Sequence, residues 1–234
     1  MTLKGKTTLI TGGTGALGHV VAERFLQEGS NVATSYVFED ELKRLSENFK
    51  NNVMIVRADV TDDEDVVALF HQVITKHGKV DILINIVGGF VPRANLKDVL
   101  TKDWDQMINL NLRSMFLCSR EFLKRLGNAT YGRIISISAL PVFKPAAGRG
   151  PYSVSKAGVY MLTQVLGEEL KSSGITANAI APSILRTQAN ISSMPDENPG
   201  KWVAPEEVAE VMLLLCSDMG SSINGTCIPM FGGV

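Results

Sequence analysis

Residues Thr7 to Gly18 read TTLITGGTGALG: a short apolar run that opens into a turn holding Gly12, Gly13, Gly15 and Gly18. From Ala16 to Glu28 the spacing changes, and Val20, Val21, Ala22, Phe25 and Leu26 recur on one face of a helix. A buried strand, a glycine turn and a helix make the first half of a βα unit. Glycines tighten the turn and let the backbone approach a pyrophosphate, whose charge the helix N-terminus meets. Such a turn can serve packing alone. Its place after the first strand of an alternating chain favours dinucleotide binding.

Outward from this unit the alternation continues. NVATSY, NVMIVRAD, VDILINIVGG, YGRIISISA, ITANAIAP and GTCIPM read as six further strands. Helical patterns near 39–48, 62–77, 101–126, 152–171 and 205–217 separate them. Short runs buried on both faces, each followed by a helix, predict a doubly wound α/β parallel sheet of about seven strands in one domain, 1–234. Loops 140–151 and 186–204 are long for such a fold. Both follow strand C-termini, where ligands of open α/β sheets bind.

Bulk composition narrows the function. Of 234 residues 45% are hydrophobic and 20% charged, and the formal net charge is −1. Nothing in that balance suggests nucleic acid or an anionic membrane surface. Cys118, Cys216 and Cys227 fit no metal spacing and read as buried apolar residues in a reducing compartment. No signal-peptide pattern or membrane-length apolar run is present, so the cytoplasm is expected. His19, His71 and His77 are scattered over helical surfaces and read as structural, and Trp104 as packing.

Tyr152 and Lys156 stand one helical turn apart in YSVSK. A free phenol titrates near 10; a neighbouring ammonium favours its ionised form and brings it toward the working range of a proton donor. The strand before them ends in SISAL, Ser136 to Leu140. Such a pair usually works with a hydroxyl on the neighbouring strand end; Ala139 stands in that slot here, and alternation along the strand turns Ser138 away.

The ordered set resembles the short-chain dehydrogenase/reductase family over essentially the whole chain: the glycine turn 11–18, Asp59 in RADVTD and NIVGG at 85–89. Asn111 in INLNLRSMF, the Tyr152/Lys156 pair, APSILRT at 181–187 and the terminal NGTCIPMFGG complete it. That resemblance implies a Rossmann-type fold, NADP or NAD, and hydride transfer to a small-molecule substrate. It places Gly12, Thr14, Gly15, Leu17 and Gly18 at the pyrophosphate and Asp59 with Val60 at the adenine. Asn85 and Gly88 fall at the riboses, and Ile137, Pro182, Ile184 and Thr187 toward the nicotinamide. Tyr152 becomes the acid/base, Lys156 its partner, and Asn111 the holder of a water that relays protons. Tyr36, ending the second strand, is neither acid nor base. Glu39 and Asp40 beyond it read as first-turn acids of the next helix, which tilts the choice toward NADP.

Four positions depart from the family pattern: Ala16, Ile86, Ser183 and Ala139. GALG in the turn, Gly88-Gly89-Phe90 and SMPDENPGKW are similar to the dihydropteridine reductases, which also lack the serine. Phe90, Phe143, Met194 and Trp202 fall in loops at the strand C-terminal edge and are expected, with Ala139, to wall the substrate. A rival reading is a cofactor-binding scaffold whose chemistry has decayed. Met107, Leu112, Phe116, Val159, Leu162 and Leu166 spread over more than one helix face, and the resemblance implies a homodimer or homotetramer through helices 101–126 and 152–171.

Overall fold

The computed structural model describes residues 2–234. Seven parallel strands form one sheet: β1 (Thr7–Thr11), β2 (Asn31–Tyr36), β3 (Val53–Arg57), β4 (Ile82–Asn85), β5 (Gly132–Ile137), β6 (Ile175–Pro182) and β7 (Cys227–Met230). Their spatial order is β3-β2-β1-β4-β5-β6-β7, the doubly wound arrangement expected. The order reverses between β1 and β4, where Thr11 pairs with Asn85, and the crevice beyond that junction is where such sheets take ligands.

Helices cover both faces, which is why the strands carry no polar stripe. All residues of β1, β4 and β6 are buried. On one face α1 (Ala16–Gln27) packs beside α9 (Pro205–Cys216), with Phe25, Val21, Met212 and Leu215 inside. On the other, α4 (Asp63–His77) packs beside α6 (Ser114–Leu126) around Phe70, Leu69 and Phe122. Each fully buried Phe contributes about 2 kcal/mol relative to its exposed state. On the β7 edge, the carbonyls of Thr226 and Met230 accept from Ala179 and Ser183 of the β6 segment, and Pro229 lies opposite Ala181.

Three helices differ from the sequence reading. The stretch near 39–48 divides into α2 (Glu39–Leu42) and α3 (Glu47–Asn52), the second capped by Ser46, whose hydroxyl accepts from Phe49 N–H. The stretch 101–126 divides into α5 (Thr101–Met107), a π-helical turn at Ile108–Arg113, and α6. Apolar periodicity passes through that turn unbroken, so the sequence carries no mark of it. The helix expected from 152 begins earlier, as α7 (Gly150–Glu169), with Pro151 near its start, where a missing N–H costs nothing.

The glycine turn seats α1 against the sheet. Gly12 adopts φ 74°, and a Cβ there would lie 3.2 Å from Val87 N. Gly18 is tighter still: a Cβ would stand 2.1 Å from Gly12 O and 2.6 Å from Gly13 Cα. Gly15, by contrast, has ordinary room, 3.4 Å from Gly12 O. Gly18→Ala is expected to lose on the order of 3 kcal/mol of stability by forcing backbone apart, and Gly15→Ala less than about 1 kcal/mol. Chemical denaturation of the two variants checks the contrast, and equal losses would contradict this account of the turn.

Candidate active site

Two connected hollows open along the strand C-termini. The first, about 310 Å³, is lined by Gly12, Thr14, Gly15, Leu17, Gly18, Tyr36, Asp59, Val60 and Gly88. No side chain caps α1 and no acid stands in its first turn. The contrast is α4, where Asp62 accepts from Glu64 and Asp65 N–H and acids fill the first turn. The α1 N-terminus thus keeps its positive end for an anion.

At the far end of this groove Tyr36 donates to Glu39 Oε1 at 3.1 Å. Glu41, given no role in the sequence reading, lines the groove. Its carboxylate accepts from Val37 N (3.0 Å), Phe38 N (2.8 Å) and the Thr14 hydroxyl (2.5 Å). Burial alone would raise its pKa, but these donors outweigh that and hold it below the usual range. Both of its oxygens are therefore engaged by the chain. Arg57 lies opposite Tyr36 on β3.

The second hollow, about 570 Å³, shares Leu17, Ile86 and Gly88 with the first and runs past Ile137, Ala139, Tyr152, Lys156, Pro182 and Ile184. Phe90 and Met194 line it. Lys156 is buried and donates from Nζ to Ile137 O at 2.8 Å. Burial pulls its pKa down to about 8. The Tyr152 phenol is pushed up by burial, and the Arg149 charge opposes that rise. Arg149, given no role in the sequence reading, is thus a cation whose charge acts on the phenol.

Asn111 sits in the π turn, 1% exposed. Its Oδ1 accepts from Gly89 N at 2.8 Å, and its Nδ2 donates to Gly89 O and to Ser155 Oγ. A Cβ on Gly88 would meet Asn111 Oδ1 at 2.7 Å. The side chain expected to hold a water is occupied in pinning the Gly88-Gly89 turn to α7.

Four expected site residues lie elsewhere. The buried Asn85 side chain donates to Ser136 Oγ (3.2 Å) and Ser119 Oγ (3.4 Å), inside the fold. Thr187 caps α8 (Gln188–Ser193), accepting from Asn190 N, and does not line the cleft. Trp202 is 4% exposed, buried in the fold and absent from the cleft wall. Phe143 packs on Tyr160 and Phe231, outside the cleft. Ser138 is a milder correction. Strand alternation ends at Ile137, so both Ser138 and Ala139 reach the cleft wall, but the Ser138 hydroxyl donates to Lys156 O at 3.0 Å. Arg93, Arg149, Asn190 and Glu197 also line the cleft; as loop and helix-end residues without periodicity they gave no signal in the sequence.

Comparison with known proteins agrees with this geometry. The short chain dehydrogenase family model matches residues 6–198. The chain is 33% identical to the 3-oxoacyl-[acyl-carrier-protein] reductase FabG of Rickettsia felis, covering 99% of this chain and 98% of that protein. It is 34% identical to 3beta-hydroxysteroid dehydrogenase 1 of Eggerthella lenta, covering 99% and 94%. Among solved structures, ElxO with NADP bound superposes with a TM-score of 0.90 at 28% identity, covering 97% of this chain and 98% of that one. For the crystal structure of gox2181 the values are 0.92 and 25%, covering 99% and 96%.

Buried Lys156 makes the fold pH-sensitive. With its folded pKa near 8 against the ordinary 10.5, the unfolded chain binds more protons between those values. Charging it therefore destabilises the fold fully below about pH 8, and that penalty fades as pH rises to 10.5. Lys156→Met should gain stability over the parent at pH 7, and the gain should shrink by up to about 3 kcal/mol by pH 10.5. Urea unfolding across that window measures it; a constant difference would contradict the burial argument.

Proposed function

The chain belongs to the short-chain dehydrogenase/reductase family and is an NAD(P)-dependent oxidoreductase, and from that premise we propose that Tyr152 is its acid/base, acting on a carbonyl or conjugated C=N acceptor. One observation carries this reading. Tyr152 and Lys156 lie in a cleft continuous with the glycine-turn groove, so a dinucleotide along the groove ends beside the phenol. The uncapped α1 N-terminus, and a turn in which a Gly18 Cβ would collide with backbone, fit the pyrophosphate. The nicotinamide, when bound, would supply the hydride.

The chain's own residues handle the proton. A phenol whose pKa is raised stays protonated at neutral pH, as a donor to a developing alkoxide or amide anion requires. Lys156, near 8, can take up or release a proton close to neutrality and thereby reload the phenol. Asn111 is a positioning residue, fixing the Gly88-Gly89 turn against Ser155. Tyr152→Phe should remove turnover, by at least about 100-fold in kcat, with cofactor affinity nearly intact. Retention of the parent rate would overturn the assignment. Arg57 beside Tyr36, together with the engagement of both Glu41 oxygens, supports a tilt toward NADP. Tighter binding of NADH than NADPH in the same titrations would reverse that tilt.

Ala139 bears on the acceptor. Loss of one donor to a developing oxyanion typically costs about 100- to 1000-fold, and the Ser138 hydroxyl is already spent on Lys156 O. We therefore favour an acceptor that is already electron-poor, of which a quinonoid dihydropterin is one case. Ala139→Ser should raise kcat/KM on simple ketones more than on conjugated acceptors. Efficient reduction of aliphatic ketones by the parent, with conjugated acceptors ignored, would exclude the pterin reading.

Assembly through α6 and α7 is part of the same proposal. The fold buries Met107, Val159 and Leu166 but leaves Phe116, Val154, Met161 and Val165 between 42% and 61% exposed. A second copy covering that face would remove them from water. Light scattering at micromolar concentration should read a dimer or tetramer, and a stable monomer would refute this.

A further inference from the structure

Resting on the reading of Tyr152 as proton donor, we propose that Arg149 and Arg93 form an anion-recognition pair in the acceptor cleft, and that the acceptor is an acidic oxo compound whose carboxylate they hold. The inference starts from what the other polar groups of the cleft are doing. Lys156 Nζ donates to Ile137 O, the Ser138 hydroxyl to Lys156 O, the Ser183 hydroxyl to Phe231 O and Asn190 Nδ2 to Leu185 O. Ala139 offers no donor. Arg93 and Arg149 line the same cleft and, among the described residues, neither guanidinium takes part in a hydrogen bond or ion pair. Apart from the Tyr152 phenol, which the reaction itself uses, they are its uncommitted side-chain donors.

Their placement is fixed by backbone. Ala94 N–H donates to Gly148 O at 3.0 Å, tying loop 90–95 to the segment that leads into α7. Gly148 adopts φ 75°, and a Cβ there would come within 3.4 Å of Arg93 Cβ. The two arginines therefore rise from neighbouring points on one wall. Arg149 immediately precedes α7, three residues before Tyr152, and its charge reaches the phenol, which it favours in the ionised form. Glu197, the carboxylate lining the cleft, pairs with neither, since no contact within ion-pair distance joins them. Its charge repels an anion from its own side and so favours one orientation of an acidic acceptor. Guanidinium forks match carboxylates in geometry, and a lysine offers only a point charge. A carboxylate adjoining the carbonyl also makes an electron-poor acceptor, in keeping with the vacant hydroxyl slot.

The test uses matched acceptors, an oxo acid and its methyl ester, with both reduced cofactors. The parent enzyme is expected to prefer the acid by at least about 10-fold in kcat/KM. Arg149→Met should cut the acid's kcat/KM by about 10- to 100-fold, mainly through KM, the range of a lost charge-assisted hydrogen bond. The acid-to-ester ratio should fall toward one. Arg149→Lys should restore part of the ratio, and Arg93→Met should produce a smaller loss; thermal unfolding and cofactor titration establish that each variant is folded. Ester turnover equal to or above that of the acid in the parent would overturn the proposal. So would an equal slowing of acid and ester by Arg149→Met, which would leave Arg149 acting through Tyr152 alone. No turnover of any oxo acid would overturn it too. Tyr152-dependent reduction of neutral ketones would then leave the reductase reading standing, whereas oxo-acid turnover that survives Tyr152→Phe would strike that reading and not the arginine pair.

Discussion

The closeness of α1 to the turn that precedes it is the constraint on which the rest depends. Gly18 sits where any side chain would enter the backbone of Gly12 and Gly13, so the helix axis points its N-terminus into the crevice between β1 and β4. Two consequences follow from that single contact. An uncapped helix end meets the space where the strand order reverses, and Leu17 of its first turn helps to line both hollows. The groove and the cleft are continuous because this helix starts where it does.

A second layer of order is polar. Asn111, Ser155 and the Gly88-Gly89 peptide are locked together, while Lys156 Nζ donates to Ile137 O and the Ser138 hydroxyl to Lys156 O, tying the end of β5 to α7. Burial then divides the titratable groups, raising Tyr152 and lowering Lys156. The two move in opposite directions for one reason: a dry site disfavours whichever form carries charge. Arg149, immediately before α7, acts on the phenol through its charge.

Fold and cofactor groove were legible in the sequence because both rest on local rules. Continuous apolar strands, helical periodicity and a glycine turn are each written within a dozen residues. The substrate side was legible only in part. Tyr152 and Lys156 share a helix face by spacing, but the partners of Lys156 and Asn111 come from β5 and the turn after β4. Trp202 and Phe143 looked exposed because they fall in loops; one folded inward and the other found Tyr160 and Phe231. Asn85 ends a strand whose side chains alternate, and its own points toward Ser136. Arg93 and Arg149 are brought together by a bond between two loops, a relation that no single stretch of sequence contains. The π turn around Asn111 is equally silent, since it alters hydrogen bonding without altering which residues are apolar.

The β7 edge has a further consequence. With the carbonyls of Thr226 and Met230 turned to the β6 side, the outward row of backbone groups falls to Cys227 and Pro229, and proline has no N–H to offer there. An eighth strand supplied by another chain would find a gap in the ladder where it most needs a donor. The sheet therefore ends at its own rim, sparing a buried, β-branched core from templating aggregation along that side. Along that edge, growth of this molecule into anything larger has to proceed by the meeting of side chains.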